Sequence, residues 1–127
     1  MQLQKLMYVE DDEDIQVIAR LALQTVGGLG VEICSSGEEA LARIDEIAPQ
    51  MILLDVMMPG MDGPETLRHL RDLPEFADTP IAFMTAKVQP QEVQSFMKLG
   101  ACAVIAKPFD PMTLAQEVRK IWDTLHE

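Results

Sequence analysis

The chain has 127 residues, the usual size of one domain, and its 48% hydrophobic content excludes a disordered polymer. Ten Lys and Arg against 21 Asp and Glu leave a net charge of -11, which argues against nucleic-acid binding and against an anionic membrane surface. Cys34 and Cys102 are too few for a disulfide framework, no apolar run approaches a membrane span, and the N-terminus lacks a signal-peptide core. The expectation is one cytoplasmic domain over residues 1–127 with no attached output domain.

Short apolar runs alternate with segments of helical period. The first strand is predicted at 5–9, ending at the five acids Glu10, Asp11, Asp12, Glu13 and Asp14. A helix follows over 14–26, with Ile15, Ile18, Ala19, Ala22 and Val26 on its inward stripe and Val17 and Leu21 off it. Gly27-Gly28 stops it. The second strand is placed at 31–34, and the second helix after Ser36-Gly37, with Ala40, Leu41, Ile44 and Ile47 inward and Pro49 beyond its end. The run 51–54 is continuously apolar and implies a strand covered on both faces. Asp62-Gly63-Pro64 opens the third helix. A strand at 81–84, a helix from Pro90 to Gly100, a strand at 103–106 and a helix after Asp110-Pro111 complete the chain. The last helix carries Leu114, Val118, Ile121 and Leu125 at helical spacing. Met51, Met84 and Met97 fit core positions, and both cysteines read as small core hydrophobes. Five strand–helix units imply an α/β, doubly wound parallel sheet with helices on both faces.

Ligands of such sheets gather at the carboxyl ends of the strands. An acidic turn that caps a helix accounts for Asp12, Glu13 and Asp14. Glu10 and Asp11 directly follow a buried strand, where crowded carboxylates repel unless a hard cation such as Mg²⁺ neutralises them. On spacing alone, capping and metal binding stand level. Asp55 closes the apolar third strand and should emerge beside Asp11, although an Asp there also suits a turn. Thr85 closes the fourth strand, and Lys107 follows four apolar residues, which favours a paired Lys over a solvated one. Together these groups could stabilise a phosphoryl group on Asp55.

Glu10-Asp11, Asp55 with Met58-Pro59-Gly60-Met61-Asp62-Gly63, Thr85-Ala86 and Lys107-Pro108-Phe109 resemble the response-regulator receiver domain of two-component signalling. The likeness spans essentially the whole chain and implies the flavodoxin-like (βα)5 fold with strand order 2-1-3-4-5. It implies that Asp55 accepts a phosphoryl group from a histidine kinase or histidine phosphotransfer protein. It also implies Mg²⁺ on Asp11, Asp55 and the backbone carbonyl of Met57, with Glu10 acting mainly through water. Thr85 and Lys107 would contact the phosphoryl oxygens, and Lys107-Pro108 would be a cis peptide. Met57 and Lys87 would flank the attacking water and set the phosphoryl lifetime.

One position departs from the family. Many receivers carry Tyr or Phe three residues before the Lys, and here that residue is Val104, so the aromatic form of the switch is unavailable. The implied protein is a signalling switch that binds an output protein, not an enzyme beyond weak self-catalysed phosphotransfer and autodephosphorylation. Receivers also dimerise through their fourth and fifth helices, and that route is open to this chain.

Three other functions fit these residues less well. A flavin-type cofactor binder needs phosphate donors after the first strand, where this chain has acids. A phosphatase with an Asp nucleophile would need Glu10 and Asp12 to exchange roles. A receiver that only docks would not need the intact Asp11, Asp55, Thr85 and Lys107. His69 and His126 lack ligand partners at metal spacing, and Gly27-Gly28-Leu29-Gly30 leads into a strand, so it is no phosphate-cradling loop.

Overall fold

Met51–Asp55 is buried along its whole length, as its unbroken apolar run requires of a strand covered on both faces. It is the central strand of a parallel sheet. The computed structural model describes residues 2–127, so residue 1 of the expected domain lies outside it. The strands β1 (Lys5–Val9), β2 (Gly30–Cys34), β3 (Met51–Asp55), β4 (Ile81–Thr85) and β5 (Ala103–Ala106) pair in the order β2-β1-β3-β4-β5. This is the order the resemblance implies. β3 and β4 each run one residue beyond the apolar segment and so include Asp55 and Thr85.

Alternation along the strands divides the interior into two cores. Leu6, Tyr8, Leu53 and Met84 face α1 (Glu13–Arg20) and α5 (Leu114–Leu125), where Ala19, Val118 and Trp122 meet them. Met7, Val9, Leu54 and Phe83 face α2 (Gly37–Ile47) and α3 (Gly63–Arg71), packing on Ile44 and Leu67. Each such side chain contributes roughly 1.5–3 kcal/mol by leaving water. The last helix but one, α4 (Pro90–Lys98), lies more loosely: Phe96 is half-buried and sets its ring edge-on to Phe83, centroids 5.1 Å apart.

The caps follow the local sequence. Asp12 accepts from the N–H groups of Asp14 and Ile15, Ser36 from Glu39, and Asp62 from Glu65.

Five positions depart from the expected packing. Ile18 and Val26 are each 42% exposed, while Leu23 is fully buried. Ile18 lies in α1 itself, whereas Val26 ends a π-helical stretch over Leu21–Val26 that continues it. Leu23 follows Ala19 by four residues and shares its buried face, and the wider turn carries Val26 off it. Met97 is exposed because α4 buries no residue completely. Leu125 is exposed as well, with Trp122 filling the core one turn earlier. Cys102 is half-buried, whereas Cys34 is fully buried.

Candidate functional site

The strand order sets β1 and β4 on either side of β3, so the carboxyl ends of all three converge. Val9 is opposite Leu54, which brings Glu10 level with Asp55, and Asp55 is opposite Met84, which brings Thr85 next to them. Thr85 is opposite Ala106, and the Lys107 N–H donates to the Thr85 carbonyl at 2.9 Å. Lys107 is thereby aimed over the sheet edge. Its ammonium bridges Glu10 Oε1 at 2.9 Å and Asp55 Oδ1 at 3.1 Å. The peptide bond between Lys107 and Pro108 is cis.

Glu10, Asp55 and Thr85 are buried, and Asp11 is exposed. One carboxylate oxygen from each of Glu10, Asp11 and Asp55 lies within 4.8 Å of the others. Burial pushes the Glu10 carboxyl up to about 7; the Lys107 hydrogen bond opposes this and the Asp55 charge adds to it. For Lys107, burial works to lower the pKa, but the bonds to Glu10 and Asp55 outweigh it and hold the ammonium above its usual range. Three carboxylates thus face one lysine. Their hard oxygen donors and the excess negative charge fit a divalent cation of the Mg²⁺ kind.

Beside them is a cavity of about 200 Å³ lined by Asp55, Met57, Thr85, Ala86, Lys87 and Lys107. Met57 is 71% exposed and Lys87 is exposed at its rim. The Lys87 N–H donates to Thr85 Oγ1 at 3.0 Å, which fixes the hydroxyl at the cavity wall. All the strand-end residues singled out in the sequence therefore meet in one place. Val104 does not: it sits within β5 opposite Phe83.

One supporting residue, Gln16, was not among those singled out in the sequence, and Gly63 has a role beyond the helix start. Gln16 donates from its amide to the Glu10 carbonyl and, at 3.2 Å, to Ser35 Oγ. Its position one turn after the Asp12 cap was the available signal. Gly63 donates its N–H to the Val56 carbonyl at 2.9 Å, anchoring the start of α3 directly behind Asp55. His69 and His126 are exposed and lie outside the site, the second stacked on Trp122 at 3.9 Å.

The profile of the response regulator receiver domain matches residues 6–119. The chain belongs to that family. It is a receiver domain, the phosphorylation-dependent switch of two-component signalling. This receiver is similar to the chemotaxis protein CheY4 of Vibrio cholerae, at 31% identity and a TM-score of 0.86, covering 94% of this chain and 98% of that one. It is also similar to the N-terminal domain of a response regulator receiver protein from Methanoculleus marisnigri JR1, at 31% identity and a TM-score of 0.75, covering 99% of each chain. The phosphate regulon transcriptional regulatory protein PhoB of Rhizobium meliloti (strain 1021) is 35% identical over 117 residues, 92% of this receiver and 51% of PhoB. The receiver thus spans about half the length of PhoB. Among the described residues, no helix is long and apolar enough to cross a membrane.

Proposed function

We propose that Asp55 accepts a phosphoryl group from a phosphohistidine of a histidine kinase or histidine phosphotransfer protein. A carboxylate oxygen of Asp55 bonds to phosphorus as the P–N bond breaks, and the leaving imidazole takes a proton. Lys107 holds a phosphoryl oxygen with its ammonium, and Thr85 donates its hydroxyl to another. Mg²⁺, held by Asp11, Asp55, the Met57 carbonyl and, through water, Glu10, would offset the charge of the transferring group. The observation that carries this reading is the Lys107 bridge between Glu10 and Asp55 at the wall of the Thr85 cavity. Mass spectrometry after incubation with a small acyl phosphate tests it. One phosphoryl adduct should form with Mg²⁺ present and none with EDTA; adducts of equal yield in EDTA would refute the metal requirement.

The donor docks beside α1. Val17 is 70% and Leu21 49% exposed, and both line a hollow of about 430 Å³ with Gln16, Arg20, Thr25 and Ile33. A partner helix with apolar anchors fits such a surface. Leu21→Asp should slow transfer from the cognate phosphohistidine protein at least tenfold, the scale of about 1.4 kcal/mol lost at a docking contact. Uptake from the small donor should be unchanged. Equal loss of both rates would indicate damaged folding instead.

The phosphorylated receiver signals by binding an output protein or a second copy through α4 and α5, whose Met97 and Leu125 are exposed. Val104 has no ring to transmit the change, so packing around β5 shifts less than it would with an aromatic. Hydrolysis of the acyl phosphate is slow. The Met57 thioether is at best a weak acceptor and Lys87 only donates, so neither orients nor activates water. Met57→Asn with Lys87→Glu should shorten the phosphoryl half-life several-fold, followed by loss of the adduct in time. An unchanged half-life would mean that these two residues do not set it.

A further inference from the structure

Tyr8 is fully buried in β1, and its hydroxyl is the one buried side-chain polar atom among the described residues without a hydrogen-bond partner. Burying a hydroxyl unpaired costs about 1–3 kcal/mol, so its persistence calls for a reason. Alternation along the strand directs Tyr8 to the same side as Glu10, two residues on. A phenol, with an ordinary pKa of about 10, carries its proton at neutral pH. A protonated phenol is a donor.

The acceptor it could serve is Glu10. At rest, Glu10 Oε2 accepts the Asp12 N–H at 3.2 Å and Oε1 accepts Lys107. Once Asp55 is esterified, its carboxylate charge is gone and the new charge sits on the phosphoryl oxygens. Lys107 is drawn toward them and away from Glu10. Mg²⁺ would reach Glu10 only through water, so a carboxylate that is 1% exposed would lose its one direct side-chain donor, which is costly unless another replaces it. We propose that Tyr8 is a positioning residue for the phosphorylated state, its hydroxyl donating to Glu10 when Lys107 turns to the phosphoryl group. The bond is of the short, charge-assisted O–H···O⁻ kind. This rests on the reading of Asp55 as acceptor.

Tyr8→Phe removes the hydroxyl and keeps the ring. The test compares thermal unfolding of parent and variant with Mg²⁺ alone and with Mg²⁺ plus beryllofluoride, a phosphoryl mimic, together with beryllofluoride titrations. At rest the variant should unfold at a higher temperature than the parent, because the orphaned hydroxyl is gone. Its beryllofluoride affinity should be lower, about tenfold, the equivalent of about 1.4 kcal/mol. Opposite signs in the two states are an outcome that general damage to packing cannot produce. Equal beryllofluoride affinity, or a variant less stable at rest, overturns the role of Tyr8 alone. A parent that does not respond to beryllofluoride at all overturns the acceptor reading and this inference with it.

Discussion

Asp55→Asn should abolish phosphoryl uptake, both from a small acyl phosphate and from a phosphohistidine protein. A carboxamide oxygen is a far weaker nucleophile than a carboxylate, and no second carboxylate occupies its place on β3. Glu10 is bonded to the same lysine but ends a different strand, and Asp11 is exposed at the rim. The substituted protein should fold, because Lys107 retains Glu10 at 2.9 Å and the amide is isosteric with the acid. Intact-mass measurement beside a circular dichroism spectrum separates loss of the acceptor from loss of the fold. Uptake by Asp55→Asn at the parental level would end the assignment. Asp11→Ala makes a graded companion. It should weaken Mg²⁺ binding while leaving the acceptor in place, so that raised Mg²⁺ restores part of the rate.

Gly63→Ala should cost stability and acceptor geometry together. A Cβ at Gly63 would lie 2.5 Å from the Asp55 carbonyl oxygen, 2.8 Å from Val56 Cα and 3.2 Å from the Asp55 carbonyl carbon. These are backbone atoms, so no side-chain rotation relieves the clash; the start of α3 or the end of β3 has to move. Overpacking of this kind costs about 1–3 kcal/mol, a large share of the roughly 5–15 kcal/mol that holds a domain folded. Thermal unfolding should shift down by on the order of 5–10 °C. Phosphoryl uptake should slow as well, because the displaced carbonyl belongs to the acceptor itself. Gly28→Ala is the comparison. Gly28 has φ of +73° with open space around it, so Ala there is strained but should leave uptake unchanged. A Gly63→Ala protein with parental stability would show that the strand end yields easily.

Much of this receiver could be read along the chain. A strand buried on both faces needs an unbroken apolar run, and 51–54 supplies it; helices need caps, and Asp12, Ser36 and Asp62 stand where those are required. The gathering of these strand-end residues was equally legible. Asp55, Thr85 and Lys107 each follow an apolar run, and a parallel sheet sends all such positions to one edge. Side-chain period and strand order are thus properties of local sequence and chirality, so the sequence by itself determined the architecture and the membership of the site. Distances within the site were another matter. The Glu10–Lys107 bond joins residues 97 apart in the chain, and no local pattern encodes it. Sequence placed Glu10 among acids awaiting a cation, whereas packing gave it a lysine first. The same holds for Val26, which fits the inward stripe of an ideal helix but ends a π-helical stretch over Leu21–Val26 and is exposed. Gly63 read as a helix start, and only the closeness of α3 to the Asp55 carbonyl made it a position without room for a methyl group. Tyr8 read as one apolar strand residue among five. Its hydroxyl became an unpaired group only when the helices closed over the sheet, because which polar atoms find partners depends on what packing brings within about 3 Å.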